Sequence, residues 1–183
     1  MKRIFTIAAL ALSALLLMAS AASAQVGPGT YGAAFDDAAA PSGTHVANNS
    51  DDPTCTVAEN LDVNCDNYVL GGVGNTNATA SLVATYSATI DCNNPGNNPN
   101  NPIESHETTF EDSDEALVLP GRNGQLRVPA LEASAGSVGQ VCPNDRWIPE
   151  IREGTLVLES FTYTLTFDGF EGSPYITISQ PQP

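Results

Sequence analysis

Carboxylates are plentiful among the side chains of this sequence that could do chemistry: it has 21 Asp and Glu residues against two His. A glycoside hydrolase uses two such acids placed across a groove, one with its pKa raised by burial. Glu159 stands out among them because it interrupts the apolar face of a strand-like segment beside Phe161. A β-bulge that turns this side chain outward is the alternative interpretation. No spacing selects a second acid, so a paired-carboxylate hydrolase is one hypothesis among several.

Closely spaced carboxylates are also the ligands that calcium prefers, since the ion takes about 6–8 oxygen atoms. The candidates are Asp112, Asp114 and Glu115 in the run EDSDE, with Asp51 and Asp52 as a second group. The chain lacks the EF-hand pattern and the RTX repeat. A solvated acidic loop is therefore the competing interpretation. No other cofactor is expected.

Histidine chemistry has little support in the sequence. A hydrolytic triad needs a histidine beside a nucleophile and an orienting acid, and the chain has only His45 and His106, without a G-x-S-x-G motif. The pair His106-Glu107 does not begin a zinc-binding H-E-x-x-H motif, because Phe110 stands where the second histidine is required. We interpret His106 as an ordinary strand-surface or rim histidine and expect no catalytic residue.

The four cysteines, Cys55, Cys65, Cys92 and Cys142, form an even set without a C-x-x-C pair. In an exported chain such a set indicates two disulfides rather than a metal site. Four cysteines allow three pairings. We favour Cys55–Cys65 with Cys92–Cys142, because each of these bonds links neighbours in the sequence.

Residues 1–24 have the organisation of a cleavable secretory signal. The basic pair Lys2-Arg3 precedes an apolar stretch from Ile4 to Met18, and Ala22-Ser23-Ala24 is a small-residue cleavage site before Gln25. The apolar stretch is shorter than the roughly 20 residues of a membrane-spanning helix. We therefore expect cleavage between Ala24 and Gln25, no membrane insertion afterwards, and release to the extracellular space or cell envelope.

The predicted mature chain is strongly acidic. The formal net charge of −15 becomes −17 once Lys2 and Arg3 leave with the signal, and no lysine remains. Binding to nucleic acid or to anionic lipid requires clustered Lys and Arg, so both kinds of partner are disfavoured. Cationic partners, metal ions and neutral glycans are compatible with this charge. The expected partner is an extracellular or envelope protein or glycan.

The elements that must position these residues are mostly strands. Residues 25–53 are rich in Gly, Ala, Asn and Asp without periodicity, which predicts a flexible N-terminal arm before one domain over residues 54–183. The clearest strand, Ala80–Cys92, alternates apolar with hydroxylated residues, as a half-buried antiparallel strand does. A second one, Thr155–Phe167, alternates after a slip at Leu156-Val157-Leu158, where a bulge or two-sided burial is expected.

The remaining segments are shorter. Strands are predicted at Val63–Leu70, Glu104–Phe110 and Tyr175–Ser179, and a surface loop is predicted at Asn93–Pro102. Asn123-Gly124 predicts a hairpin turn between segments 116–119 and 125–130. About seven short strands separated by turns predict an all-β antiparallel sandwich. The run Phe161–Phe167 is expected in mid-sheet, because it would be aggregation-prone at an edge.

Four segments resemble a group of small, uncharacterised exported proteins of actinobacterial type: ATASLVATYSATIDCNNPG, NGQLRVPAL, VCPNDRWIP and LESFTYTLTF. The resemblance extends from about Cys65 to Ile178. It implies an immunoglobulin-like β-sandwich and no particular activity. Antibody-type domains place a tryptophan between the two bridging cysteines, whereas Trp147 follows Cys142 here. We therefore expect sandwich architecture without strict antibody topology.

These observations favour a non-enzymatic interaction or structural module of the extracellular space or cell envelope. The alternatives are a secreted carbohydrate-active hydrolase with paired carboxylates and a calcium-stabilised adhesion domain. The fold class alone does not decide among them, because β-sandwiches support many functions.

Overall fold

The computed structural model describes residues 25–96, 102–121, 123–136, 138–139, 141–170 and 172–180. The predicted signal, residues 1–24, and the middle of the predicted Asn-rich loop lie outside these ranges. Within them the protein is all-β, with one 3₁₀ turn at Asp37–Ala39. No helix of the described residues is long and apolar enough to cross a membrane.

The described residues form 13 strands: β1 (Gly29–Gly32), β2 (Ala34–Phe35), β3 (His45–Val46), β4 (Thr54–Val57), β5 (Val63–Cys65), β6 (Tyr68–Gly71), β7 (Ala78–Asn93), β8 (Glu104–Val118), β9 (Leu126–Val128), β10 (Leu131–Ala133), β11 (Ile148–Ile151), β12 (Val157–Phe167) and β13 (Ile176–Gln180). This number exceeds the expected seven. Many of the additional strands have only two to four residues, too few for an alternating pattern to be visible in the sequence.

The largest sheet has β7 at its centre. Strand β8 pairs antiparallel with β7 from Ala78↔Val118 to Cys92↔Glu104. On its other side β7 pairs with β12 and, further along, with β11; β13 and β2 then follow β12. The mid-sheet position predicted for the Phe161–Phe167 run is confirmed, because β12 has a partner on both sides.

The core lies on one face of this large sheet. In β7 the predicted apolar positions are all buried, which confirms the assignment of its two faces; they are Leu82, Ala84, Tyr86, Ala88, Ile90 and Cys92. In β12 the same holds for Phe161, Tyr163, Leu165 and Phe167. At roughly 25 cal/mol per Å² of apolar surface, burial of these side chains is the main force holding the sheet to its cover.

Two smaller antiparallel sheets cover the core face: β1-β4-β5-β10 and β3-β6-β9. The Tyr86 hydroxyl, from the large sheet, donates towards the carbonyl oxygens of Leu61 and Ala133, each 3.2 Å away. Since Leu61 and Ala133 belong to the cover, these contacts join the layers. The result is a two-layered, sandwich-like fold.

The flexible arm predicted for residues 25–53 is wrong in the structure. Strand β1 pairs with β4, β2 with β13, and β3 with β6, so the segment is part of all three sheets. Gly72, just after β6, lets this segment approach closely: a Cβ added at Gly72 would lie 2.1 Å from the Gly43 carbonyl oxygen. Backbone pairing and small side chains stabilise this segment, and neither produces a periodic pattern. A boundary at residue 54 therefore has no counterpart in the fold.

Two local predictions around the acidic run are also corrected. The strand predicted to end at Phe110 continues through the acidic residues as β8 to Val118. The turn at Asn123-Gly124 exists, with Gly124 at φ +67° and a 2.7 Å hydrogen bond from the Gly121 amide to the Gln125 carbonyl. It does not form a hairpin, because β8 pairs with β7 whereas β9 pairs with β6.

Two disulfides staple the fold and leave no free cysteine among the described residues. Cys55–Cys65 joins register partners of β4 and β5. Cys92–Cys142 joins the end of β7 to the segment before β11. These are the pairs favoured from the sequence.

Candidate functional site

The face of the large sheet that points away from the core is hydroxylated. We call it the hydroxyl face; its residues are Thr79, Ser81, Val83, Thr85, Ser87 and Thr89 on β7, Ser160, Thr162, Thr164 and Thr166 on β12, and Thr177 and Ser179 on β13. All of these side chains are partly or fully exposed. The alternation that buries the opposite residues places them here, since successive side chains of a strand point to opposite faces.

The strand register aligns these hydroxyls in rows. Thr164 of β12 lies between Ser81 of β7 and Thr177 of β13. Thr162 lies between Val83 and Ser179 in the next row. Neighbouring rows are roughly 6.6 Å apart along the strands, and neighbouring strands are about 4.8 Å apart. On these three strands the face is a lattice of uncharged hydrogen-bond donors and acceptors interspersed with methyl groups, and β8 borders it with Glu107, Glu111 and Glu115.

At one end of the hydroxyl face lies an open groove of about 510 Å³. We call it the glutamate groove; its lining residues are Gln25, Ser87, Ala88, Thr89, Glu107, Thr108, Thr109, Thr155, Val157 and Glu159. Strands β7, β8 and β12 supply most of them. The groove therefore combines two carboxylates with several hydroxyl groups.

Glu159 reaches the groove through an irregularity in β12. The pairing register between β12 and β7 shifts between Leu158 and Ser160, which leaves Glu159 as the additional residue of a bulge. Its Oε1 accepts a hydrogen bond of 2.5 Å from the Ser87 hydroxyl. The bulge expected in this region is confirmed, and it turns a carboxylate towards the groove.

The second carboxylate, Glu107, comes from β8, where it is exposed and lies opposite Thr89. In the sequence, Glu107 stands out only as the neighbour of His106. The alternation along β8 was the signal that could have found it, because Glu107 shares its exposed face with Thr109 and Glu111. Glu107 and Glu159 thus line one groove from two different strands.

Polar contacts of the segment before β12 stabilise the groove where Thr89 and Thr155 line it. The Thr155 hydroxyl accepts a 3.1 Å hydrogen bond from the Thr89 amide and donates one of 2.8 Å to the Arg152 carbonyl. The Arg152 guanidinium forms a 2.6 Å ion pair with Asp91, on the same face of β7. The hydrogen bond from Arg152 contributes most to holding the pKa of Asp91 below its usual value, and the hydrogen bond from Ser105 contributes less.

The calcium candidates are not brought together. Asp112 and Asp114 lie on the core-facing side of β8, whereas Glu115 is exposed on the other. The two aspartates accept backbone amides of the β10 region, from Ser134 at 2.7 Å and Glu132 at 3.2 Å. Among the described residues no group of three or more His, Cys, Asp or Glu could hold a metal ion. The three side chains of this run therefore do not form one calcium site in the structure, because Glu115 points to the opposite face of β8 from Asp112 and Asp114.

The two histidines are also apart. His45 is in β3, and its Nδ1 lies 2.8 Å from the Gly43 carbonyl oxygen. His106 is half-buried on β8 of the large sheet, opposite Ile90. Neither is among the described residues that line the glutamate groove.

No family model, no curated protein and no solved structure matches the chain. The chemistry available at the site is that of its own residues: hydroxyl groups that donate and accept, and carboxylates that accept strongly. Such a surface suits a ligand rich in hydroxyl groups.

Proposed function

We propose that this chain is an exported, non-enzymatic module of the extracellular space or cell envelope that binds a neutral glycan. The observation that carries the proposal is the hydroxyl face, with its in-register rows on β7, β12 and β13. The glutamate groove at its end supplies two carboxylates that accept hydrogen bonds from sugar hydroxyls.

Charge favours a neutral ligand over an anionic one. The mature chain would carry −17, and such a surface repels phosphate-bearing or other anionic polymers. The named residues of the hydroxyl face on β7, β12 and β13 have no ionisable side chain. Strand β8 borders them with Glu107, Glu111 and Glu115, opposite Thr89, Thr85 and Ser81, and these carboxylates accept hydrogen bonds from a polyhydroxylated polymer but repel an anionic one.

Export is supported by two independent features. The sequence before Gln25 has the basic, apolar and small-residue order of a secretory signal. Two disulfides are typical of proteins in oxidising compartments outside the cytosol.

The immunoglobulin-like topology implied by the resemblance to exported actinobacterial-type proteins stays a prediction. Two antiparallel layers around one core support it. A difference from antibody domains is that Cys55–Cys65 lies within one sheet instead of joining the two layers.

Binding to insoluble neutral polysaccharides in a co-sedimentation assay tests the proposal. Thr162→Val with Thr164→Val removes two hydroxyls of the hydroxyl face while keeping shape and β-propensity. At about 1 kcal/mol for each lost hydrogen bond, the affinity should fall roughly tenfold or more. Thr30→Val with Thr56→Val, on exposed residues of β1 and β4, is the matched control and should bind normally. Equal binding by both variants, or no binding to any neutral polysaccharide, would overturn the proposal.

A second function is favoured by one observation: Glu107 and Glu159 line the same groove. Paired carboxylates hydrolyse glycosides when one acts as acid and the other as nucleophile or base. Release of reducing ends from soluble neutral glycans tests this hypothesis. Turnover that disappears in Glu107→Gln and in Glu159→Gln but persists in Glu115→Gln would establish a hydrolase. Binding without turnover would leave the non-enzymatic module.

A further inference from the structure

The chain immediately after the predicted cleavage point is held in place along β12. The Val26 amide donates a 3.0 Å hydrogen bond to the Leu158 carbonyl, and the Val26 side chain is only 6% exposed. The Gly27 carbonyl accepts a 2.7 Å hydrogen bond from the Tyr31 hydroxyl. The Tyr31 ring packs edge-on against Phe161 at 5.3 Å between centroids. These contacts fix where residue 25 lies.

Gln25 lines the glutamate groove together with Glu107 and Glu159. In the precursor the Gln25 nitrogen is a neutral amide. Hydrolysis of the Ala24–Gln25 bond consumes one water and leaves a carboxylate on Ala24 and an α-amine on Gln25, which takes up a proton near neutral pH. We propose that signal cleavage places this new α-ammonium in the glutamate groove, where Glu107 and Glu159 hold it. This inference rests on the proposed export and deepens the proposed function.

The electrostatics of the groove favour this arrangement. Among the described residues that line it, Glu107 from β8 and Glu159 from β12 are the ones with ionisable side chains. The nearby Arg152 guanidinium is paired with Asp91 instead. An ammonium beside two carboxylates is stabilised in its charged form. Cleavage thus frees the groove from the attached signal and neutralises one of its two negative charges.

The consequence for binding concerns hydrogen-bond donors. The groove of the precursor offers carboxylates and hydroxyls, whereas the mature groove adds an ammonium with three donors at a defined end. A sugar has both hydrogen-bond donors and acceptors on neighbouring carbons. The carboxylates of the processed groove can accept from its donors, and the ammonium can donate to its acceptors. Processing would therefore complete the ligand site as well as release the protein.

The composition makes a direct test possible. The one lysine of the sequence is Lys2, within the predicted signal, so the α-amine would be the single primary amine of the mature chain. Reductive methylation with ¹³C-formaldehyde labels that amine, keeps its charge and lets NMR follow its titration. Gln25→Ala is included because N-terminal glutamine can cyclise with loss of ammonia, which alanine cannot do.

Intact mass and N-terminal sequencing of the exported protein come first and should show an uncyclised chain beginning at Gln25. The α-amine of Gln25→Ala should then titrate at least one pKa unit above the ordinary value of about 7.7–8.0. Glu107→Gln with Glu159→Gln should restore the ordinary value, and Glu115→Gln, the same change further along β8, should not.

The inference would be overturned by an ordinary α-amine pKa, or by a raised pKa that the double substitution leaves unchanged. A chain that is cyclised or that does not begin at Gln25 would overturn it as well. Glycan co-sedimentation on the same samples separates the two proposals. Binding with an ordinary α-amine pKa would overturn the ammonium site alone. A raised pKa without glycan binding would overturn the proposed function and leave the ammonium site standing.

Discussion

The hydroxyl groups of Tyr68 and Tyr163 lie 2.8 Å apart in a hydrogen bond that spans 95 positions of the chain. Tyr68 belongs to β6 in a covering sheet, and Tyr163 belongs to β12 in the large sheet. Both residues are almost completely buried, at 2% and 1% exposure. Each hydroxyl therefore satisfies the other where water has no access, and the pair connects the two layers through the core.

A double-mutant cycle on this pair should show strong coupling. Tyr68→Phe or Tyr163→Phe alone leaves the remaining hydroxyl buried without its partner and should lower the free energy of unfolding by about 1–3 kcal/mol. The double variant should lose clearly less than the sum, because it buries no orphaned hydroxyl. Urea unfolding measures all three variants. Additive losses would contradict the coupling.

The buried tyrosines also predict alkaline sensitivity. Burial raises the pKa of Tyr163 to about 12, and burial likewise raises the pKa of Tyr68 and Tyr86 above the usual value. The native state therefore holds these protons more tightly than the unfolded chain does. Stability should be fully present below about pH 10 and decline as the pH rises through 12. Tyrosinate absorbance and urea midpoints over this range test it. Complete ionisation without loss of stability would contradict the prediction.

Asp112 and Asp114 should act as structural acceptors for the β10 region. Removing the Asp112 carboxylate with Asp112→Ala leaves the Ser134 amide without its 2.7 Å partner and should cost about 1.5–3 kcal/mol. Asp112→Asn keeps an acceptor and should cost less. Thermal unfolding in EDTA and in calcium should give the same loss in both. A loss confined to calcium-containing buffer would instead indicate an ion at this position.

The two disulfides should contribute unequally to stability. Cys55–Cys65 closes a short loop with a separation of 10 residues, and Cys92–Cys142 closes one of 50. On the chain-entropy model the paired Cys→Ala variants should lose about 3 and about 4 kcal/mol respectively. Guanidinium unfolding of each double variant compares them. A larger loss for the shorter loop would mean that native-state packing, rather than loop closure, dominates.

The long amphipathic strands could be predicted because their signal is local. In β7 every second residue from Leu82 to Cys92 is apolar, and the same period identifies the buried half of β12. The break in alternation just before Glu159 likewise predicted a bulge, since one inserted residue reverses which face the following side chains occupy. The favoured cysteine pairing followed from proximity in sequence.

Local patterns could not determine the partners of short segments. Strand β3 has two residues, and its place beside β6 depends on a glycine contact with a segment nearly 30 positions away in the chain. The acidic run resembles a loop in the sequence, because acidic residues occupy both faces of β8 there and no alternation of apolar with polar residues is visible. Propensity did not decide its conformation, since pairing with β7 over the whole length outweighed it.

By itself the sequence determined the all-β class, the faces of the main strands, the charge of the chain and the order of an export signal, because composition and period-two alternation are properties of neighbouring residues. The tertiary structure alone decided that residues 25–53 belong to the sheets and that Gln25, Glu107 and Glu159 meet in one groove. These three residues come from distant parts of the chain. Their meeting depends on strand register and on a bulge, which only the packing of the whole core defines.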